Sequence, residues 1–161
     1  MIGGAIILGG VLISTILWRS VYVTARFFKM SYMLALYFTG FCNAIVSVIS
    51  GLAVTRYHSN NLLAVRTENT MADQLVLINS SGYYLHDLLF YEYGASSPFM
   101  LVHHLFCIGT IINLCFYDHA PVVVTFIWIY ESSNPMLLYR FYMKEKNLKK
   151  NFIFNCDLLS G

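Results

Sequence analysis

Two neighbouring histidines, His103 and His104, stand inside the apolar stretch FMLVHHLFCIGTIINLCFY, residues 99–117. Imidazole is the side chain that ordinarily takes or gives a proton near neutral pH. A carboxylate such as Asp87 close to one of these rings would orient it and stabilise its charged form. Such a pair could deprotonate an amine or hydroxyl that attacks a thioester. His103, His104 and Asp87 are therefore the candidate catalytic residues.

Other polar side chains recur at helical spacing in three apolar stretches. Residues three or four apart share one face of an α-helix, so each set predicts a polar stripe. The three sets are Asn79, Tyr83, His86 and Asp87; His103, Thr110 and Asn113; and Trp128, Glu131 and Pro135. An ionisable side chain inside a membrane span costs at least about 2.5–3.5 kcal/mol and usually faces the bundle interior or water. We therefore expect the stripes to line one shared polar cavity. The candidate substrate-binding residues are Tyr83, His86, Thr110, Asn113, Trp128 and Glu131.

These residues also allow interpretations without chemistry. Paired histidines near a helix end often lie at headgroup level, and Asp87 can simply pair with His86 or with a neighbouring helix. Glu131 and the following SSNP segment can mark a helix kink, because a proline frees a carbonyl one turn earlier. Adjacent histidines point about 100° apart on a helix, so only one ring is expected to face a cavity. No H-x-x-x-H or H-x-x-H spacing occurs, so no metal site is predicted.

The composition indicates a membrane protein. Apolar residues make up 58 % of the 161 residues and charged residues 11 %, against about 25 % charged residues in soluble domains. A soluble fold of this size could not bury so much apolar surface. The net charge of +2, with no basic run carrying interleaved aromatic residues, argues against a nucleic-acid partner. The four cysteines lack C-x-x-C spacing, which argues against a disulfide framework or a zinc site.

Five apolar windows have the length of transmembrane helices. A hydrocarbon core about 30 Å thick needs about 20 apolar residues in a helix, and none of these windows alternates with the period of two of a lipid-facing barrel strand. A sixth apolar stretch begins near Asn151 and is too short to span, so we expect a chain truncated at its C-terminus. The predicted fold is an all-α, polytopic transmembrane helical bundle with five spans and the start of a sixth. The windows are Ile2–Trp18, Ser31–Thr55, Met71–Tyr93, Phe99–Tyr117 and Pro121–Leu138.

The distribution of lysine and arginine predicts the orientation, because cytosolic loops carry an excess of these residues. Eight positive residues fall in the connectors after the first and fifth windows, and two fall on the opposite side. This places the N-terminus outside or in the lumen and residues 139–150 in the cytosol. The chain divides into an N-terminal anchor helix with a basic connector, residues 1–29, and a membrane domain, residues 30–161.

Three segments resemble the TLC domain family, most closely the TLC domain-containing proteins. They are SSGYYLHDLLFY, FMLVHHLFCIG and YESSNPMLLYRFYM, in this order, and FTGFCNAIVSVISGLAV is similar to the segment that opens the domain. The resemblance covers residues 30–161. It implies a polytopic helical protein, commonly of the endoplasmic reticulum, that handles lipids.

Some members of this family are ceramide synthases, which join an acyl-CoA to a sphingoid base. Their paired histidines are the catalytic candidates, and those positions fall on His103 and His104 here. The synthase signature ends in a His-Asp…Asp cluster, whereas this chain has Glu131 and Asn134 in that region, and Asn43 stands where relatives often carry histidine.

The predicted function is to bind or sense lipid in a cytosol-facing cavity and to act in membrane lipid homeostasis. The alternatives are a ceramide-synthase-like N-acyltransferase, with acyl-CoA as co-substrate and no other cofactor, and a trafficking or translocon-associated helper. The expected partners are membrane lipids, including sphingolipids. The sequence leaves open whether the protein forms a homo- or hetero-oligomer in the membrane.

Overall fold

A computed structural model describes residues 3–58, 70–90, 98–115 and 120–145. These residues form six α-helices, and no strand occurs among them, so the all-α prediction is confirmed at this level. The predicted stretch from Asn151 lies outside the described residues. The helices are α1 (Gly4–Phe27), α2 (Tyr32–His58), α3 (Met71–Phe90), α4 (Pro98–Cys115), α5 (Ala120–Glu131) and α6 (Asn134–Glu145).

Helix α1 is longer than its apolar window. Arg19 and Arg26 lie on the helix and not in a connector, because arginine is a good helix former and does not end a helix by itself. The helix ends at Phe27, and Lys29, two residues beyond it, has a left-handed φ of 60°. The N–H of Met30 bonds the carbonyl of Ala25 at 3.3 Å, which closes a Schellman-type turn.

Side chains cap the next two helices at their N-termini. The Ser31 hydroxyl accepts a bond from the N–H of Leu34 at 3.2 Å at the start of α2. At the start of α3, the N–H of Thr70 bonds the Asp73 carboxylate at 3.0 Å, and the N–H of Asp73 bonds the Thr70 hydroxyl at 3.3 Å. This reciprocal pair is a capping box and fixes the first turn of α3.

The fifth apolar window forms two helices, so the prediction of one continuous span is wrong there. Ser132 and Ser133 form a turn between α5 and α6, and their hydroxyls bond the carbonyls of Ile129 at 2.6 Å and Tyr130 at 2.9 Å. Pro135 follows in the first turn of α6. Each helix has 12 residues, or about 18 Å at 1.5 Å per residue, which is less than the hydrocarbon core. The kink interpretation of this segment describes the structure better.

Two of the described helices, α1 and α2, are long and apolar enough to cross a membrane by length and composition. Only 33 % of the α1 window and 39 % of the α2 window are buried inside the protein. Among the described residues, the helices of the other three predicted spans are not both long and apolar enough to cross a membrane.

Helix α3 lies at the centre of the bundle. It packs most extensively on α1 and also contacts α2, α4 and α5, while α2 packs on α5 and α6. The α1–α3 crossing is close: a Cβ added at Gly82 would overlap the Ser14 side chain and lie 2.9 Å from its backbone carbon. The main apolar cluster joins α1, α3, α4 and α5. It consists of Ile7, Val11, Val76, Leu77, Ile78, Ile111, Val124 and Ile127.

Candidate functional site

The last two turns of α3 carry the polar residues around which the candidate site forms. Tyr83, Tyr84, His86 and Asp87 follow one another closely enough to project from different sides of the helix. Asp87 and Tyr84 face α4 and α5, as their partners below show. His86 lies beside aromatic residues of α1. One helix therefore supplies two separate polar environments.

Asp87 and His104 form the ionisable pair of the site. The Nε2 atom of His104, on α4, lies 3.6 Å from the Oδ2 atom of Asp87, and both side chains are buried. This is ion-pair distance but longer than a hydrogen bond. Tyr83 also hydrogen-bonds the Asp87 carboxylate. Burying a carboxylate in an apolar interior is expensive unless such partners are present.

Tyr84, Glu131 and Asn134 form a second polar contact beside this pair. The Tyr84 hydroxyl donates to Oε1 of Glu131 at 2.9 Å, and the Asn134 amide donates to Oε2 at 2.6 Å. The buried Glu131 carboxylate therefore ties the α5–α6 break to α3. The Tyr84 ring also lies 5.7 Å from the His104 ring. We call Tyr84, Asp87, His104, Glu131 and Asn134 the polar cluster.

The two neighbouring histidines have different surroundings. His104 is buried against α3, whereas His103 is exposed, as the 100° separation predicts for one ring of the pair. The His103 ring lies 5.6 Å from the His104 ring. Its Nε2 is 3.7 Å from the sulfur of Cys107 one turn later on the same helix. His103 thus lies between the buried Asp87–His104 pair and the outer surface of α4.

His86 lies apart from the polar cluster. Its ring is 6.1 Å from the Tyr22 ring and 5.4 Å from the Phe90 ring, and it is fully buried. Neither of its ring nitrogens has a hydrogen-bond partner among the described residues. Asp87 pairs with His104 of α4, and no described ion pair joins it to His86.

The remaining predicted site residues do not join the cluster. Thr110 is half-buried and Asn113 is exposed, and both lie further along α4. Trp128 packs on α2, where a Cβ added at Gly51 would lie 2.8 Å from the Trp128 Cβ. Of the predicted site residues, the structure brings together Tyr83, Asp87, His104 and Glu131.

A groove of about 220 Å³ lies at a different place, between α2 and the α5–α6 break. Its lining is almost wholly apolar and consists of Ile45, Val48, Ile49, Ser132 and Pro135. In the polar cluster, the described ionisable groups of α3, α4 and α5 contact one another. The groove is separate from these contacts.

Tyr84 and Asn134 were not among the predicted site residues. Tyr84 stands three residues before Asp87 and Asn134 stands three residues after Glu131, so each shares a face with a predicted residue. The spacing could have selected both. What it could not supply was the pairing of Tyr84 with Glu131, which are 47 residues apart in the chain.

The chemistry open to the polar cluster follows from the His104 ring. Asp87 faces Nε2, which favours the tautomer with its proton on Nε2 and leaves the Nδ1 lone pair available. Nδ1 is buried and has no hydrogen-bond partner among the described residues. Such an atom can accept a proton from, or a hydrogen bond donated by, a ligand that reaches it. Within the described parts of the chain, no three histidine, cysteine, aspartate or glutamate residues are grouped to hold a metal ion.

Comparison with known proteins identifies no relative. No family model matches the chain, and no curated protein or solved structure shows significant similarity to it.

Proposed function

We propose that this chain is an integral membrane protein of the TLC domain family that binds lipid at the polar cluster and acts in membrane lipid homeostasis. The observation that carries the proposal is the buried Asp87–His104 pair in a bundle whose outer surface is apolar. Ionisable groups inside a membrane bundle are expensive and usually mark a functional site.

The outer face of α1 supports the membrane placement. Ile6, Ile13 and Ile16 are 66, 61 and 65 % exposed, although the opposite face of the same helix is buried against α3. Burying apolar surface is worth about 25 cal/mol per Å², so a row of exposed isoleucines is unfavourable in water. Acyl chains are the surroundings that this face fits. The exposed large apolar residues of α2, among them Phe38, Ile45 and Ile49, extend the argument to the second helix.

The helix ends support the proposed antiparallel arrangement of α1, α2 and α3. The Tyr32 hydroxyl at the start of α2 donates to the carbonyl of Phe90 at the end of α3 at 2.9 Å. Arg19, in the second half of α1, contacts the Phe90 ring. The end of α1, the start of α2 and the end of α3 thus lie on one side, as successive antiparallel spans require. On the sequence pattern and the family resemblance, we propose five spans, the fifth of which is interrupted by the α5–α6 break. On the same grounds we propose residence in the endoplasmic reticulum, with the N-terminus in the lumen and residues 139–150 in the cytosol.

The polar cluster lies toward this same end of α3. His104 offers an unpartnered ring nitrogen, and the exposed His103 ring lies beside it on α4. A lipid with hydrogen-bonding groups next to its acyl chains matches this arrangement, because its apolar part can stay in the bilayer while its polar part meets His104. Binding would supply the hydrogen bond that Nδ1 lacks.

The test is to identify the lipids that stay bound to the detergent-purified protein by mass spectrometry. His104→Ala and Asp87→Asn should each reduce the retained lipid severalfold, since each removes half of the pair. His103→Ala is the matched control and should retain more lipid than His104→Ala. Equal lipid retention in the wild-type protein and the His104→Ala variant, with both proteins folded, would refute binding at the cluster.

A second candidate function, acyl-CoA-dependent N-acylation of a sphingoid base, is favoured by one specific observation. His104 has a carboxylate at Nε2 and a free Nδ1, which is the arrangement of an oriented general base. In this mechanism Nδ1 accepts a proton from the amine as its nitrogen attacks the thioester carbonyl. The C–N bond forms, the C–S bond breaks, and the proton passes to the departing thiolate of coenzyme A. Asp87 stabilises the protonated ring meanwhile.

The acyltransferase is tested with purified protein, a long-chain acyl-CoA and a sphingoid base. Amide formation that is lost in His104→Ala and retained in His103→Ala would establish the enzyme and assign the base. Lipid retention without amide formation would refute the acyltransferase and support lipid binding only.

A further inference from the structure

Arg19 carries a positive charge that no described acidic residue balances. Its guanidinium carbon lies 4.2 Å from the centre of the Phe90 ring and 4.8 Å from the centre of the Tyr22 ring. Within the described parts of the chain, the guanidinium contacts these two rings and no carboxylate. Cation–π contacts hold a guanidinium in place without using the hydrogen-bonding capacity of its five N–H donors.

His86 contacts the same two rings from inside the bundle. Its ring neighbours both Tyr22 and Phe90, and it is fully buried. Imidazole brings no negative charge, so the interior of the bundle does not neutralise Arg19 from this side. The four residues Arg19, Tyr22, His86 and Phe90 therefore form a net positive cluster of contacting side chains, which we call the Arg19 site.

The position of the Arg19 site along α1 determines its depth in the proposed membrane. Arg19 directly follows the apolar run that ends at Trp18, and Arg26 and Lys29 stand further along the same end of the helix. In the proposed orientation this level is where the acyl chains give way to the headgroups of the cytosolic leaflet. Phosphate is the anion that every phospholipid presents at this depth.

We propose that Arg19 binds the phosphate group of a membrane phospholipid, with the guanidinium held in position by Tyr22 and Phe90. Arginine binds phosphate through two parallel charge-assisted hydrogen bonds, which a fixed guanidinium plane favours. This inference rests on the membrane placement proposed above and adds a second, anionic headgroup site to the polar cluster. It does not depend on the Asp87–His104 pair.

The experiment measures binding of phosphatidic acid to the detergent-purified full chain by native mass spectrometry. Diacylglycerol with the same acyl chains is the probe that lacks the phosphate. The wild-type protein should bind phosphatidic acid about tenfold more tightly than diacylglycerol, and Arg19→Gln should remove about that factor. Inorganic phosphate is added as competitor, and displacement of the lipid at equal concentration would show that a soluble anion is the ligand and overturn the lipid assignment.

Arg26→Gln is the matched control. Arg26 lies on the same helix, is exposed, and donates its Nη1 to the Met30 carbonyl at 2.7 Å. Its loss should change the affinity by less than about twofold, because its charge is more fully screened at the surface. Equal losses in both variants would mean that general positive charge, and not the Arg19 site, attracts the lipid, which would overturn the proposal.

A further variant separates binding from folding. Phe90→Leu keeps Arg19 but removes one ring that positions it, and should weaken phosphatidic acid binding while the melting temperature stays close to that of Arg19→Gln.

The outcomes are distinguishable from those of the proposed function. If His104→Ala retains all its lipid while Arg19→Gln loses phosphatidic acid, lipid binding at the polar cluster is wrong and the Arg19 site stands. The reverse result removes the Arg19 site and keeps the polar cluster.

Discussion

Two regions on opposite sides of α3 bury polar atoms in different ways. At the α1–α3 crossing, the hydroxyls of Ser14 and Thr15 donate to main-chain carbonyls of Asn79 and Gly82, each at 3.2 Å. In the polar cluster the contacts join side chains instead, as in the 2.9 Å bond from Tyr84 to Glu131. The α1–α3 crossing buries neutral groups where two helix backbones lie close together. The polar cluster buries ionisable groups that hydrogen-bond or pair with one another.

The difference separates a packing contact from a candidate site. Small hydroxyl residues and glycine at a helix crossing are a common means of helix association in membranes, and they explain the α1–α3 contact without any ligand. Glu131 and Asp87 have long or charged side chains that do not help two helix backbones to approach closely. Apolar side chains would pack at these positions with a smaller desolvation penalty. Their presence therefore points to a role other than packing.

The largest effect on stability is expected from Glu131→Ala. This change leaves the Tyr84 hydroxyl and the Asn134 amide without their acceptor, and two hydrogen bonds to a carboxylate are worth about 3 kcal/mol together. Unfolding in detergent should show the loss. In a double-mutant cycle with Tyr84→Phe, the two effects should not add, whereas additive effects would show that the cluster is not a coupled unit.

Gly82→Ala should destabilise the protein by about 2 kcal/mol, since overpacking a close contact costs about 1–3 kcal/mol. The added Cβ would meet Ser14 and force α1 away from α3. Gly9→Ala is the control on α1, because a Cβ there would have no neighbour within 4 Å. A Gly82→Ala melting temperature equal to that of Gly9→Ala would contradict the close crossing.

His104→Ala should destabilise by about 1.5 kcal/mol, because it leaves the buried Asp87 carboxylate with one partner fewer. The exposed His103 makes no comparable contact, so His103→Ala should leave the melting temperature nearly unchanged. Comparing the melting temperatures of the two variants under the same conditions tests whether His104 is the histidine inside the bundle. A larger loss of stability for His103→Ala would assign His103 to the interior instead.

Ser14→Ala should have the smallest effect, about 0.6 kcal/mol, which is the average for a hydrogen bond between membrane helices. If the α1–α3 crossing depends on close packing, this loss stays well below that of Gly82→Ala. A Ser14→Ala effect as large as the Glu131→Ala effect would remove the distinction between the two regions.

Much of the candidate site could be predicted from spacing alone. Asp87, Glu131 and one of the two neighbouring histidines were expected to converge because the polar stripes lie toward the same membrane side, and Asp87, His104 and Glu131 do meet in one region. Asn113 and Thr110 belonged to the His103 stripe and remain on the outer part of α4, away from the cluster. A stripe indicates which residues share a face but not how far along a helix the neighbouring helix stays in contact.

The sequence by itself determined the helical class, the apolar composition and the residues that carry charge, because composition and periodicity are properties of the chain alone. Only the tertiary structure decided that His104 and not His103 faces α3, that Glu131 binds Tyr84, and that α5 and α6 are separate helices. Those outcomes depend on the rotation and depth of each helix against its neighbours. Such rotation is set by close contacts like Ser14 with Gly82, between residues far apart in the chain.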